Sequence, residues 1–418
     1  MTDALTHTAC PITDAHRAEV PDAVDTCPAP PMLATDRETL FDPPAALRAL
    51  PPISPLTFAG GAQGWLVTEY RLARDVLGDA RFSADRSLAE SPLRAIPERF
   101  RKLGTPPGMF NSMDDPEHAR YRKMLMRQFT VRRMNELQPR IETIVADTLD
   151  TLEARGGPVD LVQDYALPIP MQVICELLGV PYEFRADFTR FAAVLLAVKS
   201  DIGQLMKTVD ELRGFLRRVI VDRRANPDGA LLSGLIAEND LGDEELINIA
   251  QVLLLAGHET SANMLALGTF ALLQAPDQLA ILRADPQLMP SAVEELLRYL
   301  TIAHMGPVRA ALEDVEVAGI TIPKGRTVLV YLPVVNRDSE LIDDGDRLDL
   351  ERDRPHHMAF GFGVHQCIGQ QLARAEMAIG FQRLFERFPS LQLAVPPEDV
   401  RMRTDMLVYG VHELPVTW

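Results

Sequence analysis

Neighbouring cysteine pairs, an excess of positive charge and a cationic leader are all missing from this chain. Its four cysteines are scattered and form no CxxC pair, so neither a disulfide framework nor a zinc knuckle is expected, and a reducing cytoplasm suits them. Lys and Arg number 42 against 59 Asp and Glu, and the net charge of −17 argues against nucleic acid or an anionic membrane as partner. The first forty residues show no cationic start followed by an apolar stretch, so no signal peptide or membrane anchor is expected. What remains is ordinary for a soluble globular protein. Apolar residues make up 47% and charged residues 24% of 418 positions, enough for a sizeable core.

Residues 1 to 35 are rich in Pro, Thr, Asp and Ala and read as a disordered or loosely packed tail, with 36–418 as a single domain. Residues 56–70 read as two short strands about a glycine turn, and 71–80 as a helix. The stretch 84–112 is long and irregular, and loops of that length inside a compact domain usually carry function. A helix opening at Asp114-Asp115-Pro116 then carries Arg120, Arg122, Lys123, Arg127, Arg132 and Arg133 with no acid between His118 and Arg133. In so acidic a protein this block is either a solvated face balancing acids elsewhere or a docking patch for an acidic partner. Further helices are expected over 136–155, 160–180 (with Cys175 packed in the core) and, as a pair, 182–225.

The longest signal is 243–275, apolar nearly all round, which predicts a central buried helix. Its polar interruptions, Asn248, Gln251 and residues 258–263, argue against a membrane span. Within it, Ala256-Gly257-His258-Glu259-Thr260 places a carboxylate and a hydroxyl mid-helix. Burying such groups unpaired costs roughly 2–7 kcal/mol for a neutral one and more for a charge, so something must use or hydrate them. Thr260 can bond back to a carbonyl one turn earlier, and Gly257 leaves room for a ligand or water. A local kink holding one water is the plainer alternative. Residues 301–335 alternate Val, Ile and Leu about Pro323-Lys324-Gly325 and predict strands.

Near the C-terminus, the run from Phe360 through Gly361, Gly363 and Cys367 to Gly369 precedes a predicted helix with Leu372, Ala375, Ile379, Leu384 and Phe388 at helical spacing. The loop delivers one cysteine to unpaired N–H groups and the positive end of a helix dipole, where a thiolate is favoured. Such a sulfur suits a single open metal position; a packed free cysteine is the plainer alternative. Gly361 and Gly363 allow a tight turn, Gly369 a close backbone approach, and Phe360 can shield the sulfur from water.

Phe-x-x-Gly-x-x-x-Cys-x-Gly followed by a helix resembles the haem-binding signature of the cytochrome P-450 superfamily, and the resemblance extends over about residues 40 to 418. It is most similar to soluble actinobacterial members that oxidise secondary metabolites and foreign compounds. The resemblance implies a mainly α protein with small β-sheets, a triangular helical prism around haem b crossed by one long helix. It implies Cys367 as axial iron ligand and His118, Arg122, Arg309 and His365 as partners of the haem propionates. Phe360, Gly361, Gly369, Ala256 and Gly257 would lie against the ring. Thr260 would anchor a hydrogen-bond network on the oxygen side, and Glu259 would relay protons. Glu295 and Arg298, otherwise a weak surface pair, would form a buried structural pair completed by Arg352.

The implied activity is insertion of one oxygen atom from dioxygen into a C–H or C=C bond of a bulky apolar molecule. Electrons would come from NAD(P)H through ferredoxin reductase and ferredoxin, docking on the basic patch of a monomer. Substrate contacts are expected in 84–112, 182–205, 301–308 and 405–409, with Leu253, Ala256, Thr301, His304, Met305 and Val308 as pocket candidates. A peroxide-driven peroxygenase is a rival that Glu259-Thr260 argues against, and a non-catalytic haem or ligand carrier is a second.

Overall fold

The computed structural model describes residues 31–353 and 355–418, so the expected tail over 1–30, with Cys10 and Cys27, lies outside the described residues. Residues 31–35 do not belong to a loose tail. Thr57 N–H donates to Pro31 O at 2.8 Å, and Leu33 is buried in a small cluster with Leu56 and Phe58.

Everything packs around the helix Asp243–Gln274, whose 32 residues span about 48 Å. Three acids in its first turn suit the dipole, and Glu245 Oε2 accepts from Gly242 N–H at 2.8 Å. Pro276 stops it. Its apolar circumference is buried against helices Pro168–Leu178, Ile202–Ala225 and Gln370–Arg387. The last of these comes very close. A Cβ on Gly268 would lie 2.5 Å from Phe381 Cζ, and one on Gly380 2.7 Å from Leu265 Cδ2. Glycines facing each neighbour therefore set the spacing of the two helices.

A five-stranded sheet takes the order Ile53–Thr57, Gln63–Val67, Thr327–Val330, Val308–Ala311, Phe82–Ser83. Its one parallel pairing, Trp65 opposite Val328, joins the two ends of the domain, and the others are antiparallel. A three-stranded sheet and the hairpin Val315–Val317/Ile320–Ile322 complete the β content. The expected strands over 56–70 and 301–335 are present.

Two details differ from expectation. The basic block does not lie on one helix: Glu117–Met126 carries Arg120, Arg122 and Lys123, while Arg132 and Arg133 begin Val131–Arg155. Thr130 causes the restart, its hydroxyl accepting from Arg133 N–H at 3.3 Å. On Gln370–Arg387, Ala375 and Ile379 are only half-buried, and the core face is Leu372, Glu376, Met377, Phe381 and Leu384. Packing against a second helix through Gly380 rotates the buried stripe.

Glu295 and Arg298, on Met289–Leu300, are fully buried. Arg298 donates to both Glu295 oxygens at 2.7 and 2.8 Å and to the carbonyls of Asn336, Gly345 and Arg347. Arg352 Nε adds an ion pair with Glu295 at 3.4 Å. Next to it, Glu294 receives Arg374 Nε at 2.6 Å, Arg374 Nη2 at 2.9 Å and His357 Nε2 at 3.1 Å. Burial opposes its charge, yet these bonds outweigh it and hold the carboxyl at about 2.

Arg298→Ala strands the Glu295 charge, so we expect a loss of roughly 3–5 kcal/mol, read as a lowered denaturation midpoint; an unchanged midpoint rejects the structural role. Glu294, with its folded pKa depressed from 4.5 to about 2, contributes stability that is present above 4.5 and lost as pH falls through 2. Thermal midpoints across that window should therefore fall more steeply for the wild type than for Glu294→Gln. Parallel curves rule this out.

Candidate active site

Between the long helix, the sheet and the C-terminal loop lies a mostly apolar cavity of about 720 Å³. One wall is the loop 358–369. Gly361 N–H donates to Met358 O at 2.8 Å, and Gly361 and Gly363 both have positive φ, 72° and 75°. A Cβ on Gly363 would also lie 2.7 Å from Leu77 O, so both position and turn require glycine. Cys367 N–H closes the loop on Phe360 O at 2.9 Å, three residues before the helix start at Gln370. The sulfur is enclosed by protein but open to the cavity. Burial pushes its thiol up, while Gly369 N–H, Arg122 and Arg374 pull it down. Desolvation is the largest of these influences, and a coordinated metal cation would favour the thiolate.

Two arginines and two histidines converge beside this wall. His118 and Arg122 share a face of Glu117–Met126, Arg309 comes from the sheet, and His365 from the turn before Cys367. The His118 and His365 rings lie 4.0 Å apart, and all four line the cavity. His365 falls to about 3 through burial and the charges of His118, Arg309 and Arg122, and burial brings Arg309 to about 10. Burial lowers Arg122 too. With only Asp114 and Asp115 at its edge, the cluster suits a ligand bearing two carboxylates. Flat space beside glycines, one open sulfur and this cluster fit haem.

On the long helix, Leu253, Ala256, Gly257 and Thr260 line the opposite wall. Thr260 Oγ1 donates to Ala256 O at 2.8 Å, the back-bond that its mid-helix position leads one to expect. Gly257 leaves room chiefly for a neighbour rather than for a water: a Cβ there would lie 2.8 Å from Ile174 Cδ1. Glu259 is buried on the other side of the helix, its Oε2 receiving Arg403 Nη2 at 3.1 Å and Asn263 Nδ2 at 3.1 Å. His258 Nδ1 lies 2.8 Å from Leu254 O, and burial lowers its pKa.

Met305 and Val308 line the cavity, whereas Thr301 and His304 do not. The Thr301 hydroxyl is spent on the end of Met289–Leu300, donating to Arg298 O at 2.8 Å and accepting from Asn336 Nδ2 at 2.8 Å. His304 stacks edge-on against Tyr409 at 5.0 Å. Arg86 and Arg94 line the cavity from within the expected 84–112 stretch without having been singled out there, and Glu376 was missed. Glu376 is wholly buried with both oxygens lacking a hydrogen bond of normal geometry, and burial raises it to about 8, so it is protonated at neutral pH. An acid inside the expected apolar stripe of Gln370–Arg387 was the available signal. Arg94 donates to Leu195 O at 3.1 Å and to Ala197 O, tying the 84–112 loop to the end of helix Arg185–Leu196. Leu407 N–H meets Leu196 O at 2.7 Å and Val198 N–H meets Asp405 O at 2.8 Å. These three segments close the cavity's outer end.

Among the described residues no single helix is long and apolar enough to cross a membrane. The family model described as Cytochrome P450 matches residues 182–412. Cytochrome P450-SU2 of Streptomyces griseolus is 45% identical over 97% of this chain and 100% of that protein. Pentalenic acid synthase of Streptomyces avermitilis is 45% identical over 93% of this chain and 98% of its own. A crystal structure of CYP105P1 in complex with filipin I is 44% identical, covers 93% of this chain and 99% of that one, and superposes with a TM-score of 0.88. The similarity thus runs along nearly the whole chain, which belongs to the cytochrome P450 family of haem-dependent monooxygenases.

Proposed function

We propose that Cys367 is the axial ligand of haem iron and that the cavity above it takes a bulky apolar small molecule for oxygenation, as hydroxylation or epoxidation in natural-product tailoring. The carrying observation is one open sulfur facing a mid-helix hydroxyl across an apolar void, with two arginines and two histidines at one side. When bound, haem supplies the activation of dioxygen. His118, Arg122, Arg309 and His365 hold its propionates by charge-assisted hydrogen bonds. Phe360 covers the sulfur; Arg374 lies over its ring at 4.6 Å.

Thr260 keeps a proton at Oγ1, at present bonded to Ala256 O and free to turn toward the cavity. Glu259 is the acid behind it. To pass a proton it has to exchange its Arg403 contact for one toward the cavity, so Arg403 acts as its holder. Leu253, Ala256, Met305 and Val308 shape the apolar pocket. Of relatives, one is named for pentalenic acid synthesis and one neighbour was solved with filipin I, which favours a secondary metabolite as substrate here.

Electrons reach the chain from NAD(P)H through ferredoxin reductase and ferredoxin. Within the basic block, Arg120 is paired with Glu245 at 2.7 Å, Arg132 with Glu136 at 3.5 Å and Arg133 with Gln128, which leaves Lys123 and Arg127, among the described residues, as the exposed, unpaired part of the docking patch on a cytoplasmic monomer.

With a ferredoxin system, Thr260→Ala should lower product formation by about tenfold or more while NAD(P)H is still consumed, oxygen leaving as hydrogen peroxide. Unchanged product per NAD(P)H rejects the role of Thr260. Cys367→Ser should abolish the thiolate-type absorption band of the reduced carbon monoxide complex; persistence of that band would falsify the axial assignment.

A further inference from the structure

Arg86 follows strand Phe82–Ser83 and turns its side chain into the cavity. Its exposed surface belongs to the cavity, and among the described residues it makes no hydrogen bond, ion pair or ring contact. Of the other charged groups on its own loop that line the cavity, two are matched. Arg94 is spent on two backbone carbonyls, and Glu90 is paired with Arg101. The nearest charge that Arg86 perturbs is Arg309, of like sign. Ala84, Ala89, Pro92 and Ile96 line the cavity around it and are apolar.

A guanidinium in such a place needs an anion, and its planar fork matches a carboxylate in bidentate fashion. The two propionates of haem do not fill this need. Arg122 and Arg309 already balance two negative charges, with His118 and His365 as further donors. Arg86 is a fifth donor and a surplus charge. We propose that Arg86 is a specificity-determining residue that receives the carboxylate of an acidic, otherwise apolar substrate. This rests on the haem-monooxygenase reading above and narrows its substrate class.

The test uses the ferric holoenzyme, titrated with dodecanoate and with methyl dodecanoate while the displacement of water from iron is followed optically. The wild type should bind the acid about tenfold or more tightly than the ester, the ratio that one charge-assisted hydrogen bond supplies. Arg86→Gln should remove this difference by weakening the acid alone. Arg86→Lys, which keeps charge without the fork, should retain part of it. Equal binding or no binding of the two probes by the wild type overturns the proposal, as does an acid preference that survives Arg86→Gln. If Arg86→Gln instead speeds haem transfer to apomyoglobin and shifts both probes alike, a propionate holds Arg86 and the proposal also fails. A wild type lacking the thiolate-type carbon monoxide band marks failure of the underlying reading rather than of Arg86.

Discussion

The loop 358–369 carries no β-ladder or helix of its own beyond one short turn, so Cys367 keeps its place only because the ground on both sides is fixed. That ground is a chain of polar contacts starting from the buried Glu295–Arg298 pair. Arg298 donates to Asn336 O at 3.0 Å, and Asn336 Oδ1 accepts from Met358 N–H at 2.7 Å, the residue where the loop begins. At the other side, Arg374 on the C-terminal helix and His357 before the loop meet on Glu294. Both ends of the loop are therefore tied to the one helix Met289–Leu300. Burying two charges is costly, and such pairs often stabilise little over an apolar replacement. Here they set position, which an apolar contact does less sharply.

The opposite wall follows the same logic with neutral groups. A long apolar helix leaves its own polar residues with no water to turn to, and several are given a defined partner in another segment. Asn248 Nδ2 donates to Pro107 O at 2.7 Å and anchors the end of the 84–112 loop. Asn263 and Arg403 share Glu259, which ties the C-terminal segment to the helix. Thr260, by contrast, has only a carbonyl of its own helix and faces the cavity. The helix is thus polar where it fastens other segments, and at one hydroxyl where it meets the void.

What could be read from the sequence was what is local in it. A cysteine just ahead of a helix, His118 and Arg122 on one helix face, and a carboxylate beside a hydroxyl in an apolar run are all spacings. They survive whatever the tertiary packing does. Thr301 and His304 were misplaced because an irregular segment does not announce its side-chain directions, and the end of Met289–Leu300 needed Thr301 for its carbonyls. Gly257 was legible as a close approach but not as an approach to Ile174, since the neighbour comes from 168–178. Arg86, inside the expected 84–112 stretch, was not singled out for a related reason. It is an ordinary charged residue until distant segments come to face it.

The two ends of the cavity are held with unequal strength. Toward the sulfur, carboxylates and guanidinium groups bond through several donors each, inside protein and shielded from salt. Toward the outside, closure depends on two backbone hydrogen bonds between 196–198 and 405–407 and on Arg94 reaching two carbonyls. A net contribution near 1 kcal/mol for each neutral bond sums to a few kcal/mol, small against global stability. Separating those segments leaves the Glu295 and Glu294 networks untouched, since no residue is common to both. A substrate can therefore enter by parting the outer segments while the loop that presents the sulfur stays in register.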